Sequence, residues 1–537
     1  MVDAPATLRD LLLARADDDA PALLAGDRRW SWREYVATAA ARAAALADLL
    51  DPARPPHVGV LLDNTPEMAF QLAAAGLGAH VVVGLNTTRR GAGLLADIRK
   101  ADAQVVVVEP AHAGLLDGLD LAGVRVVDAA WFRQARPPVV EPAETTGPPL
   151  PHAEPTPDSL FMLIFTSGTS GEPKAVRITD EKVSHPGRYL TERLGLTRDD
   201  VHYVAMPLFH SNAVMAGWAP ALVTGATIAL AERFSASGFL PDVRRYAATY
   251  ANYVGKPLAY VLATPEQPDD ADNPLRIVFG NEAGERDTIE FARRFGCVVI
   301  DGFGSTENAV VVSRVEGTPP GSLGQPFPGV AVLDPETGAE CPRAEIDAQG
   351  RVTNLDDCVG ELVNTQGTGQ FAGYYNDEAA TAERMRGGMY WSGDLAYRDA
   401  EGWVYYAGRT ADWLRVDGEN LAAAPIERIL LRHPSVSEAA VYAVPDPHAG
   451  DQLVAALVTT GTITPEEWEA FLAAQADLGT KAWPRFVRIL DALPRTATNK
   501  VLKRELQATG IDAGPDTTTW EREERGTAYG HLQASAP

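Results

Sequence analysis

The chain has 537 residues, of which 46% are hydrophobic, and its 72 acidic and 47 basic side chains give a formal net charge of −25. Such a length and apolar content predict a globular protein of several domain-sized units with large buried cores. The negative charge argues against nucleic acid or an anionic membrane as a general partner, so a polyanionic ligand needs a local basic site.

The N-terminal 20 residues contain early acidic residues and a short, interrupted apolar segment, which predicts an amphipathic helix rather than an export signal. Residues 68–85 are the most apolar region, but they include Gln71 and His80 and divide into a helix followed by a strand. We therefore expect no transmembrane span, and membrane contact that is peripheral at most. The cysteines Cys297, Cys341 and Cys358 show neither disulfide nor zinc spacing, which favours a reducing cytoplasm.

Strand-like and helical patterns alternate along the first half of the chain. Residues 57–62, 66–77 and 80–85 predict a strand, a helix and a strand, and short apolar strands return at 105–108, 124–127, 276–279 and 297–300. From Gly321 to Ala411, glycine, proline and short alternating runs predict a mainly β subdomain. A smaller α+β unit follows, and the last 20 or so residues predict a polar, loosely held tail.

The stretch TSGTSGEPKAV at residues 166–176 follows an apolar strand and is rich in small residues that let backbone N–H groups face an anion, with Lys174 as its cation. A Walker loop would place Ser or Thr after the lysine and lead into a helix, whereas here Pro173 precedes Lys174 and Ala175 follows it. The pattern predicts phosphate binding and disfavours a P-loop NTPase or kinase.

Four later motifs could complete a nucleotide site: DGFGSTE (301–307), YWSGD (390–394), GRTADWLRVDGEN (408–420) and LPRTATNKVLKREL (493–506). Glu307 offers an oxygen ligand for magnesium, Asp394 can accept hydrogen bonds from ribose hydroxyls, and Arg409 is a planar cation suited to phosphate. Each motif alone is as typical of a turn with solvated charges. Their joint occurrence in this order is far more specific.

In this combination the motifs closely resemble the adenylate-forming superfamily of acyl-CoA synthetases, peptide-synthetase adenylation domains and luciferases, over about Trp30 to Leu506. The resemblance implies an α/β fold with a large N-terminal domain of several subdomains and a small, mobile α+β lid. The corresponding ranges are 1–411 for the core, 412–510 for the lid with its hinge at Asp412, and 511–537 for the tail. Residues 276–284, RIVFGNEAG, are similar to the fatty-acid-transport and very-long-chain acyl-CoA synthetase branch.

The resemblance also implies that ATP and CoA are co-substrates and that Mg²⁺ is a cofactor. It further implies a role for each matching residue. The phosphates would be held by Thr166, Ser167, Gly168, Thr169 and Lys174, with Thr306 beside them. Thr169 and Glu307 would serve Mg²⁺. Asn281 and Glu282 would lie near the adenine of the nucleotide, which would further contact Asp301, Gly302, Phe303, Gly304, Asp394 and Arg409. Lys500 would bridge the substrate carboxylate and the α-phosphate as a fixed cation, and the lid face carrying Gly418 would later admit the CoA thiol.

The residues of the acyl pocket are harder to identify from the sequence. Its candidate residues are Phe209, His210, Met215, Trp218, Tyr253, Val254 and Gly255. His210 could as easily be a turn residue, and Lys256 could be a solvent-facing residue beside Pro257 or a polar group in the pocket. Two departures from the family pattern are Asn499, where relatives carry glycine, and Ala411, where many carry lysine. Asparagine shares the left-handed backbone of glycine, so activity is expected to survive.

The sequence thus predicts a cytoplasmic carboxylate-CoA ligase that acts through an acyl-adenylate. One alternative keeps adenylation but transfers the acyl group to a carrier protein or an amine, or uses the adenylate in nitrite-dependent diazotisation. Another is a catalytically silent nucleotide-binding protein on the same fold. The class of carboxylic acid and the oligomeric state stay open at this point.

Overall fold

The computed structural model describes residues 6–134, 154–166, 173–409, 413–416, 419–446, 450–495, 501–511, 518–523 and 526–532. These residues belong to two compact units. The first comprises Met1–Ala309 and Gln370–Glu383, and the second comprises Val310–Gly369 and Arg384–Pro537. The predicted hinge at Asp412 lies outside the described residues, so the division into core and lid at that position stays a prediction.

The first unit is an α/β structure. Its strands are β1 (Pro21–Ala25), β2 (Arg28–Ser31), β3 (His57–Leu61), β4 (Val81–Gly84), β5 (Val105–Val108), β6 (Arg125–Asp128), β7 (Leu160–Thr166), β8 (Lys174–Thr179), β9 (Val201–Val204), β10 (Thr227–Leu230), β11 (Tyr250–Val254), β12 (Ile277–Asn281) and β13 (Val298–Phe303). Its helices are Leu8–Leu13, Trp32–Ala47, Pro66–Gly76, Gly91–Lys100, Ala129–Gln134, Asp180–Leu194, Ala219–Thr224, Phe239–Tyr246, Pro257–Leu262, Glu285–Phe295 and Glu378–Arg384. A 3₁₀-helix spans Pro110–Leu116 and a π-helix spans Ala213–Trp218.

Parallel strands form most of both sheets in this unit. Side by side in one sheet lie β13-β12-β11-β9-β10-β1-β2, with only the β1–β2 pair antiparallel among these strands. The other sheet has the order β6-β5-β3-β4-β7-β8, with β7 and β8 antiparallel. The continuous apolar runs explain this arrangement, because parallel strands covered on both faces are apolar throughout. All four valines of β5 are buried, for example.

The sequence predictions for the first unit are confirmed in type and near their predicted bounds. Strand, helix and strand occur at His57–Leu61, Pro66–Gly76 and Val81–Gly84. The amphipathic N-terminal helix is Leu8–Leu13, which begins with a capping box formed by Thr7 and Asp10. Among the described residues, no helix is both long enough and apolar enough to cross a bilayer.

The second unit is richer in strands. They are β14 (Val312–Ser313), β15 (Gln325–Pro326), β16 (Val330–Leu333), β17 (Gly360–Asn364), β18 (Met385–Arg386), β19 (Met389–Arg398), β20 (Val404–Arg409), β21 (Trp413–Val416), β22 (Glu419–Ala422), β23 (Val436–Asp446), β24 (Gly450–Thr459), β25 (Phe486–Ile489), β26 (Thr518–Arg522) and β27 (Tyr529–His531). The helices are Leu355–Cys358, Ala423–Leu430, Pro465–Ala473 and Lys503–Thr509, with a 3₁₀ turn at Thr480–Ala482. One sheet has the order β16-β17-β19-β18 with β20 on β19, and the other has the order β22-β21-β24-β25-β26-β27 with β23 on β24.

The prediction that residues 511–537 form a loosely held polar tail is wrong for the part that the structure describes. Strand β26 pairs antiparallel with β25, and β27 pairs with β26. Trp520 is 2% exposed and Tyr529 is 7% exposed, both within the core that includes Trp468. A strand that is covered on one face needs only the residues of that face to be apolar, so the polar composition of this segment did not indicate the strands.

Candidate active site

The predicted phosphate loop joins two antiparallel strands. In the β7–β8 pair, Thr166 lies opposite Lys174, so residues 167–173 connect the ends of a hairpin. A Walker loop instead connects a strand to a helix. The hairpin therefore agrees with the sequence analysis, which disfavours a P-loop NTPase. Ser167, Gly168 and Thr169 lie outside the described residues, and their predicted contacts with phosphate and Mg²⁺ stay predictions.

Lys174 is held at the first residue of β8 by two neighbours from residues 370–383. The residue is 4% exposed, and its Nζ lies 3.3 Å from Oε2 of Glu383 and 5.3 Å from the centroid of the Tyr374 ring. An ammonium over an aromatic face is attracted by the quadrupole of the ring. Strand β8 itself pairs with this segment, because Arg177 donates its backbone N–H to Gly373 O over 3.1 Å.

Tyr374 also contacts the predicted magnesium ligand. Its hydroxyl donates a 2.8 Å hydrogen bond to Oε1 of Glu307. Next to Glu307, Thr306 is 8% exposed, and its Oγ1 lies 3.0 Å from Oγ of Ser211. One tyrosine thus contacts both Lys174 and Glu307. The sequence analysis does not identify Tyr374. The only local feature that could have indicated it is the glycine followed by two tyrosines in FAGYY, residues 371–375.

A second lysine is buried near Glu307. Lys182, in the helix Asp180–Leu194, is 1% exposed, and within the described part of the chain its Nζ has no hydrogen-bond acceptor. Burial lowers the pKa of Lys182 to about 7, while the charge of Glu307 opposes that shift. A buried amine without a hydrogen-bond acceptor destabilises the folded state, so the buried position of Lys182 near Glu307 lowers stability.

The carboxyl ends of β11, β12 and β13 lie side by side, as expected for ligand sites in open α/β sheets. Val254 is in register with Asn281, and Asn281 with Gly302. Asp301 accepts two bonds on one oxygen, from the Tyr253 hydroxyl at 2.7 Å and from the Ala283 N–H at 3.0 Å. The structure therefore brings together, at one edge of the sheet, predicted residues from two motifs and from the proposed acyl pocket.

The backbone at this edge is tightly specified. Glu282 has a φ of 68°, a left-handed conformation that is uncommon outside glycine. A Cβ atom on Gly280 would lie 2.3 Å from the carbonyl oxygen of Tyr253, so only glycine fits there. Phe303 ends β13, and Gly304 follows it with open space on its Cβ side. Uncommon backbone geometry of this kind often occurs at ligand sites.

The predicted acyl-pocket residues fall into two groups. Phe209 and His210 lie in a turn in which the His210 N–H donates to Pro207 O over 2.9 Å. Met215 and Trp218 belong to the π-helix. Trp218 is fully buried, donates its ring N–H to the Tyr35 hydroxyl over 3.0 Å, and stacks on Phe161. These are the contacts of a core residue.

Tyr253, Val254 and Gly255 form the end of β11 and the turn that follows, where Gly255 has a φ of 72°. Tyr253 lines an apolar cavity of about 10 Å³ together with Tyr203, Met206, Phe239, Leu258 and Phe291. That volume is about one water molecule, so an acyl chain could enter only if these side chains move. Lys256 is half-buried at the start of the helix Pro257–Leu262, where it opposes the burial that raises the pKa of Asp287.

The second unit contains the predicted ribose and phosphate residues on neighbouring strands. Asp394 on β19 lies opposite Arg409 on β20, and Nε of Arg409 is 3.3 Å from Oδ1 of Asp394. The Asp394 side chain is 9% exposed, whereas that of Arg409 is 42% exposed and can reach a ligand from solvent. Asp412, Gly418 and Lys500 lie outside the described residues, and their roles stay predictions.

A group that the sequence does not single out could also coordinate a cation. Asp63, Glu109 and His112 present ligand atoms within 4.8 Å of one another, at the carboxyl ends of β3 and β5. One close ion-pair contact and one hydrogen bond already join the members of this group. His112 Nε2 lies 3.0 Å from Asp63 Oδ1, and the Asp63 N–H donates to Glu109.

For the Mg²⁺ ion that the resemblance implies, Glu307 is a fitting ligand. Its carboxylate is half-buried, one oxygen is fixed by Tyr374, and the Thr306 hydroxyl lies in the adjacent residue. Carboxylate and hydroxyl oxygens are the donors that Mg²⁺ prefers.

The likeness to known proteins extends along nearly the whole chain. The sequence profile of the AMP-binding enzyme family matches residues 13–375, and that of the AMP-binding enzyme C-terminal domain matches residues 425–500. A medium/long-chain-fatty-acid–CoA ligase, FadD17, from Mycobacterium marinum is 54% identical over 515 residues, which cover 96% of this chain and 98% of the relative. A steroid-22-oyl-CoA synthetase from Rhodococcus jostii is 48% identical over 510 residues, covering 93% and 90%. The structure of o-succinylbenzoate CoA synthetase (MenE) from Bacillus subtilis with its acyl-adenylate intermediate has a TM-score of 0.75 at 26% identity, covering 94% of this chain and 98% of that one.

Proposed function

This chain belongs to the AMP-binding enzyme family, and we propose that it joins a medium- or long-chain aliphatic carboxylic acid to CoA. It is an ATP-dependent acyl-CoA ligase, with ATP and CoA as co-substrates and Mg²⁺ as the metal ion. The proposed substrate class is based on the 54% identity to a medium/long-chain-fatty-acid–CoA ligase along 96% of the chain. The aromatic and aliphatic side chains around Tyr253 support an apolar acyl group.

A steroid side-chain carboxylate is the second candidate. The 48% identity to a steroid-22-oyl-CoA synthetase covers nearly as much of the chain, and an apolar pocket does not by itself separate a linear chain from a fused ring system. Both acids present the same reacting group, a carboxylate on an apolar body.

In the first half-reaction, a carboxylate oxygen of the acid attacks the α-phosphorus of ATP. The bond from that phosphorus to the bridging oxygen of the β-phosphate breaks, and pyrophosphate leaves with the electron pair. Lys174 and Thr166 would bind the outer phosphates, with Thr306 beside them. Glu307 and Thr169 would hold Mg²⁺, which neutralises charge on the phosphates when bound. Lys500 would stabilise the charge that builds between carboxylate and α-phosphate.

In the second half-reaction, the thiol of CoA attacks the acyl carbon, and the bond from that carbon to the AMP oxygen breaks. The products are a thioester and AMP, and the thiol proton passes to solvent. In the second unit, Asp394 would accept hydrogen bonds from the ribose hydroxyls and Arg409 would bind phosphate or ribose. Closure and turning of a lid at Asp412 would separate the two steps, with Gly418 on the face that admits CoA.

The test is AMP release by the full-length protein with Mg²⁺ and ATP, using decanoate, palmitate, a steroid-22-oic acid and benzoate, each with and without CoA. We expect AMP from the aliphatic or the steroid acid only when CoA is present. Pyrophosphate release that does not depend on CoA would indicate that the acyl acceptor is a carrier protein or another nucleophile. Absence of both products with every acid would favour the catalytically silent alternative.

We also propose a cytoplasmic location. Cys297, Cys341 and Cys358 are buried free thiols, and burial raises the pKa of each. Unpaired cysteines are typical of a reducing compartment.

A further inference from the structure

A line of three buried or half-buried amides connects the π-helix to the strand ends near which the family resemblance places the adenine. Asn252 Nδ2 donates to Asn212 Oδ1 over 2.6 Å, Asn212 Nδ2 donates to Asn281 Oδ1 over 3.5 Å, and Asn281 Nδ2 donates to Gly302 O over 2.7 Å. Asn252 is 5% exposed and Asn212 is 8% exposed. No motif of the sequence singles out either residue.

The direction of this line is set at one end. The Gly302 carbonyl can only accept, so Asn281 must present its NH₂ group to it and its oxygen to Asn212. Asn212 must then present its own NH₂ group to Asn281, which leaves its oxygen for Asn252. Asn212 and Asn281 therefore each use a donor and an acceptor that an aspartate or a leucine could not both supply, whereas Asn252 uses its donor. The 3.5 Å step between Asn212 and Asn281 is the longest and the most sensitive link.

The far end of the line ends against the π-helix. Asn252 Oδ1 is buried with no hydrogen-bond donor among the described residues, and it lies where a Cβ on Gly217 would be 2.9 Å away. A fold selected for stability alone would not place an unsatisfied buried acceptor there, because such a group is destabilising. π-helical turns are themselves frequent at functional sites.

The near end of the line fixes an unusual piece of backbone. Glu282, with its left-handed φ of 68°, stands between two anchored neighbours. Asn281 is anchored to Gly302 through its side chain, and Ala283 is anchored to Asp301 through its N–H. Uncommon backbone geometry persists only where the surroundings fix it, and here these two bonds do so.

We infer that Asn212 and Asn252 are positioning residues for the nucleotide base, acting through Asn281 on the backbone at Glu282. This inference rests on the proposed function, because Asn281 and Glu282 are placed near the adenine by the family resemblance behind that function. The affinity for adenine, and its preference over guanine, are then set in part by amides in the core beneath the π-helix.

The test uses the full-length protein and titrates AMP and GMP by calorimetry into the wild type, Asn212→Asp, Asn252→Leu and the control Asn273→Asp. Asn273 is a half-buried amide of the same unit that donates to the carbonyls of Asp270 and Phe295, so the control loses the same kind of donor away from the strand ends. We expect Asn212→Asp to weaken AMP binding about tenfold and to reduce the ratio between the dissociation constants of GMP and AMP. The reason is that Asn281 Oδ1 loses its donor. In steady-state assays KM for ATP should rise far more than kcat falls.

The outcomes separate the possible failures. Whatever its effect on the melting temperature, Asn273→Asp should leave AMP affinity within about twofold of wild type. Wild-type AMP affinity in both Asn212→Asp and Asn252→Leu would overturn the inference. If Asn212→Asp does not fold, Asn252→Leu alone decides, with about threefold weaker AMP binding expected. A wild-type protein that binds no AMP, or an Asn281→Leu variant that binds it normally, would instead contradict the proposed base site.

Discussion

The Tyr374 hydroxyl donates a 2.8 Å hydrogen bond to Glu307, while the ring of the same tyrosine lies 5.3 Å from the ammonium of Lys174. One side chain thus orients the proposed magnesium ligand and the proposed phosphate-binding cation at once. Removing the hydroxyl should disturb the first contact and spare the second.

We therefore predict that Tyr374→Phe lowers kcat/KM for adenylation about 5- to 30-fold and raises the Mg²⁺ concentration needed for half-maximal rate, because Glu307 loses a fixed donor. Pyrophosphate release at varied Mg²⁺ measures both effects. Tyr375→Phe is the matched control, since the Tyr375 hydroxyl donates to Asp102 over 3.0 Å. Equal losses in the two variants would show a general effect of the segment instead of a specific one on Glu307.

The close approach at Gly280 leads to a prediction about stability. A Cβ atom there would lie 2.3 Å from Tyr253 O, whereas at Gly304 nothing lies within 4 Å. Gly280→Ala should therefore push β11 and β12 apart and destabilise the protein by about 2–4 kcal/mol, while Gly304→Ala should cost less than about 1 kcal/mol. Chemical denaturation of the two variants measures the difference. A Gly280→Ala variant as stable as the wild type would mean that these strand ends are loosely packed.

The described secondary structure was largely readable from the sequence, because buried parallel strands such as β3 and β5 are continuous apolar runs and the helices between them follow a 3.6-residue period. The strands β26 and β27 could not be predicted from the sequence, since Trp520 and Tyr529 are their only large buried apolar residues. For such strands, pairing with β25 decides the structure.

The candidate site shows the same division. Glu307 and Lys174 could be predicted because each stands in a motif with its own local chemistry. Tyr374 and Asn212 could not, because their roles come from partners 67 and 69 residues away in sequence. Contacts over such separations are determined by the packing of the folded chain, which no local pattern encodes.

A buried histidine gives a pH dependence with a definite sign. His202 is fully buried, with Nδ1 3.2 Å from Gly217 O, and burial lowers its pKa to about 4. In the unfolded chain the imidazole titrates near its ordinary value of about 6.5, so between these two values the unfolded state binds more protons than the folded state. The stability that this neutral histidine provides is complete above about pH 6.5 and is lost as the pH falls towards 4.

His202→Gln should remove this loss, which is on the order of 3 kcal/mol, and so flatten the decline of unfolding free energy between pH 6.5 and 4. Urea titrations at several pH values measure it. His185, whose side chain is 55% exposed, is the control, and His185→Gln should leave the slope unchanged. If both variants decline in parallel with the wild type, other groups dominate the acid response.

The contrast between two lysines of the first unit yields the last prediction. Lys182 is 1% exposed and, among the described residues, its Nζ has no hydrogen-bond acceptor, whereas Lys100 Nζ donates to Asp377 over 2.7 Å. A buried amine without acceptors destabilises the folded state, so replacing it with an apolar side chain of similar length should be stabilising. We expect Lys182→Met to raise the free energy of unfolding by about 1–3 kcal/mol and Lys100→Met to lower it by about 1 kcal/mol.

Chemical denaturation of both variants at one pH measures the contrast, and the adenylation rate measured beside it shows what the cation contributes near Glu307. A more stable but slower Lys182→Met variant would mean that the lysine is kept for catalysis at a cost in stability. A less stable Lys182→Met variant would contradict the prediction. It would show that the ammonium has a stabilising partner in the folded protein, and the electrostatic attraction to Glu307 would then be the first candidate.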